Sequence, residues 1–377
     1  SKCTPKWLRT GPMRLNPNHS ILDQLSMHDA LLMYPYESMD PFLMMLREAV
    51  DDPGVSAIDI TIYRLARDSE VAASLMDAAR AGKRVRVAIE LRAGFGETEN
   101  IEWAHRFKQV GCEVIYGLED CKVHGKICCI TRSVDGALRH ITQIGTGNYN
   151  EVTAKNYTDF SFMTSDPDIG SDAHRLFDNL ERGVVSDEYK SLIVSPLQLR
   201  KAIIQQIDGQ IARAQAGEPS GVFFKVNAIT DRDVIEKLVE ASNAGVAVVM
   251  IVRDSCCILP GVEGCTEKVR VASLVGRLLE HSRIYGFGAW DDMKIYLSSA
   301  DLMKRNMDHR VEIAWPVRNN TLRKRVIQYA NLCLNDTAKL RELLPDGSYT
   351  ALGALAKEDA AGRKELFDSQ EYLLRKG

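Results

Sequence analysis

The chain has 377 residues, of which 45% are hydrophobic and 26% are charged, as is typical of a globular protein with a large buried core. It has no apolar run of about eighteen residues and no basic start followed by an apolar stretch, so we predict a cytoplasmic protein without a transmembrane segment or signal peptide. The net charge of -3 does not indicate a nucleic-acid-binding protein, and the nine cysteines lack the paired spacing of a zinc site.

The first half of the chain alternates between helical and strand patterns. The predicted helices are residues 29–50, Ser69–Ala81 and Thr98–Val110. The predicted strands, both rich in β-branched residues, are Val55–Tyr63 and Val85–Leu91. Such alternation predicts parallel βαβ units and therefore an α/β fold.

The second half repeats this plan. After a helix at Pro196–Arg213, the predicted elements are a strand at Gly221–Ile229, a helix from its Asp231 cap to Ala244, and a strand at Val246–Val252. In each half a helix ends at a glycine and leads through a strand to an arginine, which is Arg92 in the first half and Arg253 in the second. This repetition predicts an internal duplication, with the halves meeting near residues 185–195.

The repeat extends to residues that can carry chemistry. The first copy contains His124-Gly125-Lys126 followed by Gly145–Asn148, and the second contains His281-Ser282-Arg283 followed by Ser298–Asp301. In a strand, the histidine and the cation of an H-x-[K/R] sequence lie on one face. Two halves that face each other would therefore place two histidines and two cations in one cleft.

Two histidines among several cations favour phosphoryl transfer. Histidine titrates near pH ~6.5 and can act as a nucleophile or a proton donor, whereas the charge on a transferring phosphoryl group needs cations from several loops. The candidate cations are Arg64, Lys126, Arg253, Arg283 and Arg310. Neither a P-loop nor the protein-kinase motif set is present.

The doubled H-x-[K/R] plan resembles the phospholipase D superfamily, and longer strings resemble the polyphosphate kinases of the first type. These strings, in the order of that family, are Tyr34–Ser38, Ile62–Arg64, Val123–Lys126, Gly145–Asn150, Tyr157–Asp159, Leu279–His281 and Ser298–Asp301. They cover roughly residues 28–340, and the N-terminal and head domains of the family have no counterpart here.

The resemblance implies a fold of two tandem phospholipase D-like α/β domains related by internal duplication, with a helical C-terminal tail. The expected divisions are an N-terminal extension or remnant at 1–28, a first catalytic domain at 29–188, a second at 189–340, and the tail at 341–377. It also implies reversible transfer of the γ-phosphate of ATP to polyphosphate through a phosphohistidine. The expected cofactor is Mg²⁺ and the partners are ATP or ADP and inorganic polyphosphate, with no nucleic acid; peripheral membrane association and a homo-oligomer of the full-length protein are compatible with the family.

By the same resemblance, His124 matches the histidine that takes the phosphoryl group, and His281 matches a second histidine with an acid–base or nucleotide-contacting role. The remaining matches are Tyr157 and Arg253 at ATP-binding positions, Arg64 at the magnesium–phosphate site, Asp159 and Arg310 as orienting and phosphate-clamping residues, and Lys126 and Arg283 as the motif cations.

Two departures from the family pattern motivate alternatives. Gly94 stands where the second arginine of the magnesium–phosphate site is expected, and Gln143 stands where histidine is common; Arg92 is expected on the same face as the lost arginine. Loss of one charge-assisted phosphate contact would slow transfer by roughly ten to a few hundred times. The alternatives are a non-catalytic or impaired polyphosphate-binding remnant, which would bind without ATP/ADP exchange, and a phospholipase D-type phosphodiesterase, which would hydrolyse phosphodiesters without ATP.

Overall fold

The computed structural model describes residues 15–94, 97–352 and 366–375. In chain order the first half contains α1 (Ile21–Met27), β1 (Ala30–Tyr34), α2 (Asp40–Asp51), β2 (Val55–Ile62), α3 (Glu70–Arg80), β3 (Arg84–Ile89), α4 (Glu97–Gln109), β4 (Glu113–Ile115), β5 (Lys122–Val123), β6 (Lys126–Val134), β7 (Ala137–Gly145), β8 (Tyr157–Thr164) and α5 (Pro167–Glu181).

The second half contains β9 (Ile193–Val194), α6 (Leu199–Gln215), β10 (Val222–Val226), α7 (Arg232–Asn243), β11 (Val248–Val252), β12 (Val269–Leu274), β13 (Leu279–Glu280), β14 (Arg283–Phe287), β15 (Lys294–Ser298), α8 (Lys304–Asp308), β16 (Arg310–Val311), β17 (Ile313–Pro316), α9 (Asn320–Leu334), β18 (Leu340–Leu343), β19 (Tyr349–Ala351) and α10 (Ser369–Arg375). None of the helices in these ranges has the length and apolar character that a membrane span requires.

Each half is built around one mixed sheet. The first has the order β1-β8-β7-β6-β2-β3-β4, in which β2, β3 and β4 are parallel and the remaining neighbours are antiparallel. The second has the order β19-β18-β12-β11-β10-β14-β15-β17-β9, with β10, β11 and β12 parallel. The predicted α/β class and its parallel βαβ units are therefore confirmed.

Local sequence signals account for the helices between the parallel strands. The Ser69 hydroxyl accepts from the backbone N–H of Ala72 at the start of α3, and the Asp231 carboxylate accepts from Val234 at the start of α7. Such side chains satisfy N–H groups that the first helical turn leaves unpaired. Both helices return the chain to its sheet, so that the strands on either side run parallel.

The two halves share a hydrophobic core. One buried cluster contains side chains from both sheets, including Ile127 and Phe160 from the first and Ile284, Ile313 and Trp315 from the second. Two further clusters each belong to one half. Two short strand pairs cross the same boundary, since β5 pairs with β16 and β13 pairs with β8. The boundary between the halves is therefore a packed interface, and the residues after β5 and β13 lie on it.

The predicted helix over residues 29–50 is wrong in its first part. Ala30–Tyr34 forms β1, which is fully buried and pairs antiparallel with β8, and the helix begins only at Asp40. Every side chain of this short run is apolar, so its pattern does not distinguish a buried strand from a buried helix. The pairing with β8 decides the outcome.

The chain ends also differ from expectation. Residues 341–343 and 349–351, predicted to belong to a helical tail, lie in β18 and β19 at the edge of the second sheet, and a helix appears in the described part of the tail only at α10. At the other end, α1 buries Ile21, Leu22 and Leu25 in the core of the first half, so the described part of the expected remnant belongs to that half. Residues 1–14 and 353–365 lie outside the described residues.

Candidate active site

His124 lies at the interface because β5 is held by the other half of the molecule. The backbone N–H of His124 donates to the carbonyl of Val311 at 3.0 Å, which continues the β5–β16 pairing. Its ring Nδ1 lies 2.8 Å from Oε2 of Glu312, also in the second half. With Glu312 as acceptor, the proton of the neutral ring is placed on Nδ1 and the lone pair of Nε2 is left available.

Glu312 is fully buried, and hydrogen-bond donors surround it. Besides His124, Ser299 donates its hydroxyl at 2.5 Å and Asn306 donates its amide at 2.6 Å. Burial alone would raise the pKa of this carboxyl, but His124 and Lys126 outweigh that effect and lower the pKa to about 2. Glu312 is therefore a carboxylate at neutral pH and fixes the orientation of the imidazole.

Lys126 lies against the ring that Glu312 orients. Its Nζ is 3.1 Å from Nε2 of His124, and the side chain is buried. Burial lowers the pKa of Lys126 to about 7, assisted by the charges of Arg283 and Arg310. Burial also lowers the pKa of His124 to about 3, with Lys126 contributing in the same direction. The ring is thus a neutral imidazole whose reactive nitrogen is in contact with the Lys126 amino group.

His281 has the same arrangement with the two halves exchanged: the ring belongs to the second half and its carboxylate partner to the first. Its Nδ1 lies 2.8 Å from Oδ2 of Asp159, which belongs to the first half, and Thr146 donates its hydroxyl to Asp159 Oδ1 at 2.6 Å. The β13–β8 pairing brings the two segments together. Burial and then the charge of Arg283 lower the pKa of His281. Each histidine is therefore oriented by an acid from the other half.

The cation of the second copy is paired more tightly than that of the first. Arg283 donates to Asp301 from Nε at 3.1 Å and from Nη2 at 2.9 Å, while Nη1 lies 3.0 Å from Nε2 of His281. Asn148 occupies the position in the first copy that corresponds to Asp301. The carboxylate that pairs with Arg283 thus has an uncharged amide as its counterpart in the half that contains Lys126.

The two copies meet in a single site. Arg283 Nη1 reaches across the interface to the carbonyl of Thr146 at 3.4 Å. The charge of Lys126 lowers the pKa of His281, and the charge of Arg283 lowers the pKa of Lys126. Lys126 is paired with Gly145, the residue before Thr146, and each cation contacts the ring of its own copy, so the structure brings both predicted histidines and both motif cations together.

A cavity of about 320 Å³ opens beside His281. Its lining residues are Asn156, Tyr157, Arg253, Asp254 and Val275–Leu279, drawn from both halves. The ring of Tyr157 lies 5.4 Å from the His281 ring, and Arg253 donates from Nε and Nη2 to Asn227 Oδ1 at 3.0 and 2.8 Å. Two residues predicted from the resemblance to bind ATP thus share one concave surface next to the second histidine.

The other predicted cations lie around this centre. Arg310 is the first residue of β16, and its Nη1 lies 3.7 Å from Oε1 of Glu312, which follows that strand. Arg64 is exposed and donates to the carbonyl of Ala93 from Nε and Nη2 at 3.2 and 2.6 Å. Arg92 lies beyond the end of β3, so the strand pleat does not orient it as we expected; it donates to the carbonyls of Leu118 and Glu119.

The departures at positions 94 and 143 have structural explanations. Gly94 has φ +71°, a conformation that favours glycine, and a Cβ built there would lie 3.4 Å from Arg64 Nη2. Gln143 is buried, donates to the Ser161 hydroxyl at 2.9 Å and accepts from the Tyr149 hydroxyl at 2.5 Å. Gln143 is therefore held within the first half by two hydrogen bonds.

The described side chains at the site do not form a ligand cluster for a metal ion. Within residues 15–94, 97–352 and 366–375, no three His, Cys, Asp or Glu side chains are grouped so that they could hold one. Arg64 is a cation and cannot ligate Mg²⁺ itself.

Sequence reasoning missed Glu312, the acid that orients His124. The signal was present, because the hydroxyl and the acid of each copy are separated by the same distance in sequence. Thr146 and Asp159 are 13 residues apart, as are Ser299 and Glu312, and both pairs are hydrogen-bonded. Carrying the repeat past Asp301 would therefore have placed Glu312 opposite Asp159.

Two duplicated α/β halves, each with one H-x-[K/R] segment at the common interface, form a phospholipase D-like fold. The crystal structure of phosphatidylserine synthase from Haemophilus influenzae shares this fold, with a TM-score of 0.55 at 12% identity over 83% of this chain and 87% of that one. Residues 20–185 match the family model of polyphosphate kinase C-terminal domain 1, and residues 192–362 match that of C-terminal domain 2. The chain belongs to the polyphosphate kinase family.

Individual relatives agree with this assignment. The chain is 42% identical to a polyphosphate kinase of Staphylococcus haemolyticus over 88% of its length, and 40% identical to one of Bacillus cereus over 96%. The crystal structure of polyphosphate kinase from Porphyromonas gingivalis matches the whole chain with a TM-score of 0.86 at 31% identity. This chain covers 46%, 52% and 55% of these three proteins, respectively, so it spans about half of their length.

Proposed function

We propose that the chain carries the phosphotransferase centre of an ATP:polyphosphate kinase, with His124 as the phosphoryl carrier. The observation that carries the proposal is the reciprocal pairing of His124 with Glu312 and of His281 with Asp159, with a cation at Nε2 of each ring. Such pairing prepares two neutral imidazoles in a buried, positively charged setting, which suits the transfer of a phosphoryl group.

In the first step, His124 Nε2 forms a bond to the γ-phosphorus of ATP, and the bond from that phosphorus to the bridging oxygen breaks. The bridging oxygen leaves with the electron pair as part of ADP. Glu312 keeps the Nδ1 proton in place and stabilises the positive charge that the ring acquires. Lys126 Nζ, which lies 3.1 Å from the same nitrogen, moves to an oxygen of the incoming phosphoryl group and neutralises its charge.

In the second step, a terminal oxygen of polyphosphate attacks the phosphohistidine, and the N–P bond breaks to regenerate His124. His281 stands beside the departing and attacking oxygens, with its Nε2 in contact with Arg283. Asp159 stabilises the positive charge of the His281 ring whenever both ring nitrogens hold a proton during transfer. Because ATP and polyphosphate both present a terminal phosphoanhydride, the same groups serve the reaction in either direction.

The 320 Å³ cavity beside Tyr157 and Arg253 supports a nucleotide site next to His281. Mg²⁺ belongs to the proposal as the counterion that ATP phosphates carry, since the described residues offer no ligand cluster of their own. Arg64 and Arg310 are proposed phosphate contacts at the edges of the centre. Cytoplasmic location and a homo-oligomer of the complete protein are likewise proposed from the family.

The test is the chemistry of the labelled protein. After exposure to ATP labelled at the γ-phosphate, we expect the complete natural chain to carry a phosphate that is acid-labile and alkali-stable, and His124→Ala to carry none. His281→Ala should still be labelled, because its ring is not the carrier. The labelling should be slower, because the variant lacks the ring that stands beside the departing oxygen. Label that persists in His124→Ala refutes the assigned role. Polyphosphate binding without any labelling or ATP/ADP exchange would instead identify a binding remnant.

A further inference from the structure

Gln370, on the C-terminal helix α10, is hydrogen-bonded to the segment Val275–Leu279, which forms one wall of the proposed nucleotide cavity. The side chain is 1% exposed and makes three hydrogen bonds to the segment before His281. Its Oε1 accepts from the backbone N–H of Leu278 at 2.9 Å, and its Nε2 donates to the Leu278 carbonyl at 3.0 Å and to Glu280 Oε1 at 2.6 Å. One amide thus holds both the backbone of the wall and the residue before the second histidine.

Gly276 allows this amide to come so close. A Cβ built on Gly276 would lie 2.4 Å from Gln370 Oε1, well inside van der Waals contact. Gly276 does not have the left-handed conformation that favours glycine, so the close approach of Gln370, and not the backbone, is what excludes a side chain. The wall of the cavity and α10 are therefore shaped to each other.

The helix that carries Gln370 is itself anchored away from the cavity. Ser369 donates from its backbone N–H and its hydroxyl to Asp336 Oδ2, both at 2.7 Å. Leu373, one turn further along, is buried in the core shared by the halves. Since Asp336 follows α9 directly, Gln370 connects the cavity wall to a rigid part of the second half.

Glu280 connects Gln370 to His281, which is the next residue in the chain. The carboxylate is buried and accepts from Tyr329 at 2.6 Å and from Thr158 at 2.9 Å, and it is paired with Lys225 at 3.0 Å. Gln370 Nε2 occupies its other oxygen. Every one of these contacts restrains the residue next to His281, and Thr158 also accepts at 3.3 Å from the His281 N–H.

We propose that Gln370 is a positioning residue for phosphoryl transfer. Its side chain fixes the shape of the nucleotide cavity and the position of His281 from the side of the wall that faces away from the cavity. The inference rests on the proposed function, because it takes the cavity beside Tyr157 and Arg253 to be the nucleotide site. It gives the C-terminal segment a role in the reaction, although α10 does not line the cavity.

The first experiment compares Gln370→Leu with the unchanged complete chain. The leucine has a similar size but leaves the N–H and the carbonyl of Leu278 without partners, so the wall relaxes and the KM for ATP rises about tenfold, with a smaller fall in kcat. Leu75→Ala on α3 is the control for lost packing: this side chain is buried in the core of the first half, away from the cavity and from α10, so its loss lowers the melting temperature and leaves the KM for ATP unchanged. An equal effect of both variants on KM overturns the proposal.

A second experiment tests the contact itself and remains informative where the leucine variant fails to fold. Gly276→Ala alone should raise the KM for ATP, because its methyl group displaces the Gln370 amide. In a Gln370→Ala background the same substitution should change KM by less than twofold, because there is no amide left to displace. Additive effects overturn the proposal. An unchanged chain that shows no ATP-dependent transfer at all refutes the proposed function instead, which separates the two failures.

Discussion

Glu312→Gln is the most direct test of the orientation of His124. The substitution keeps the size of the side chain and removes its charge. Within the described residues, the buried Oδ1 of Asn306 has no hydrogen-bond partner, while its amide nitrogen donates to Glu312 Oε1. A rotation of the Asn306 amide would offer Oδ1 to the new amide group, so the glutamine carbonyl can remain on His124 Nδ1.

The expected loss follows from that geometry. His124 keeps its tautomer and loses only a charge-assisted hydrogen bond, worth about 1.5–3 kcal/mol, so phosphohistidine formation should slow about 10- to 100-fold. With Asn306→Leu added, the amide group has no acceptor on that side and is expected to turn toward His124. The ring proton then moves to Nε2, and an inverted tautomer of this kind has cost about 10⁴-fold in another enzyme.

The assay is quenched-flow labelling of the complete chain with γ-labelled ATP at saturating nucleotide. Glu342→Gln is the matched control, since Glu342 lies in the same half and pairs with Arg270 at 2.5 Å away from the site. Asn306→Leu alone should have a small effect, because Glu312 still accepts from Ser299. A single variant within twofold of the unchanged protein, or a double variant no slower than the single one, refutes the reasoning.

Three further predictions concern the cations and Gly94. In the folded chain, burial lowers the pKa of Lys126 to about 7, against 10.5 for the free side chain. Between these pH values the unfolded chain binds more protons than the folded chain. The free energy of unfolding, measured by denaturant titration and compared with that of Lys126→Met, should therefore rise from pH 7 to pH 10.5. Gly94→Arg should not raise the transfer rate, and should lower the free energy of unfolding by about 1–2 kcal/mol, because φ is +71° there; a faster enzyme would show that the arginine was simply lost. Arg253→Lys should raise the KM for ATP about tenfold. A lysine cannot donate two fixed hydrogen bonds to Asn227 Oδ1 and still present its charge to the cavity. An unchanged KM would show that Arg253 does not contribute to the nucleotide site.

The duplication could be predicted from the sequence because chemistry and fold repeat together. Strands such as Val55–Ile62 and Val248–Val252 are rich in β-branched residues, and each adjoins a helix with a side-chain cap, at Ser69 and at Asp231, so local signals and tertiary structure agree. The histidines could be found because each lies in a strand-like H-x-[K/R] segment. Their convergence depends only on the two copies facing each other, which the duplicated plan already favours.

Other features depend on contacts that local patterns do not record. Ala30–Tyr34 becomes a strand because β8 pairs with it, and Leu340–Leu343 because β12 does. Arg92 leaves the expected face because β3 ends at Ile89. Gln370 lies 90 residues beyond Glu280, in a segment with no recognisable motif, and only the folded chain shows that its amide reaches the cavity wall. Such long-range contacts cannot be read from periodicity or spacing.

The exchange of acids between the halves makes the orientation of both histidines depend on how the two halves pack together. A half that folds alone has a histidine but lacks the carboxylate that fixes its tautomer, since Glu312 serves His124 and Asp159 serves His281. A substitution that loosens the packing between the halves is therefore expected to disturb the orientation of both rings.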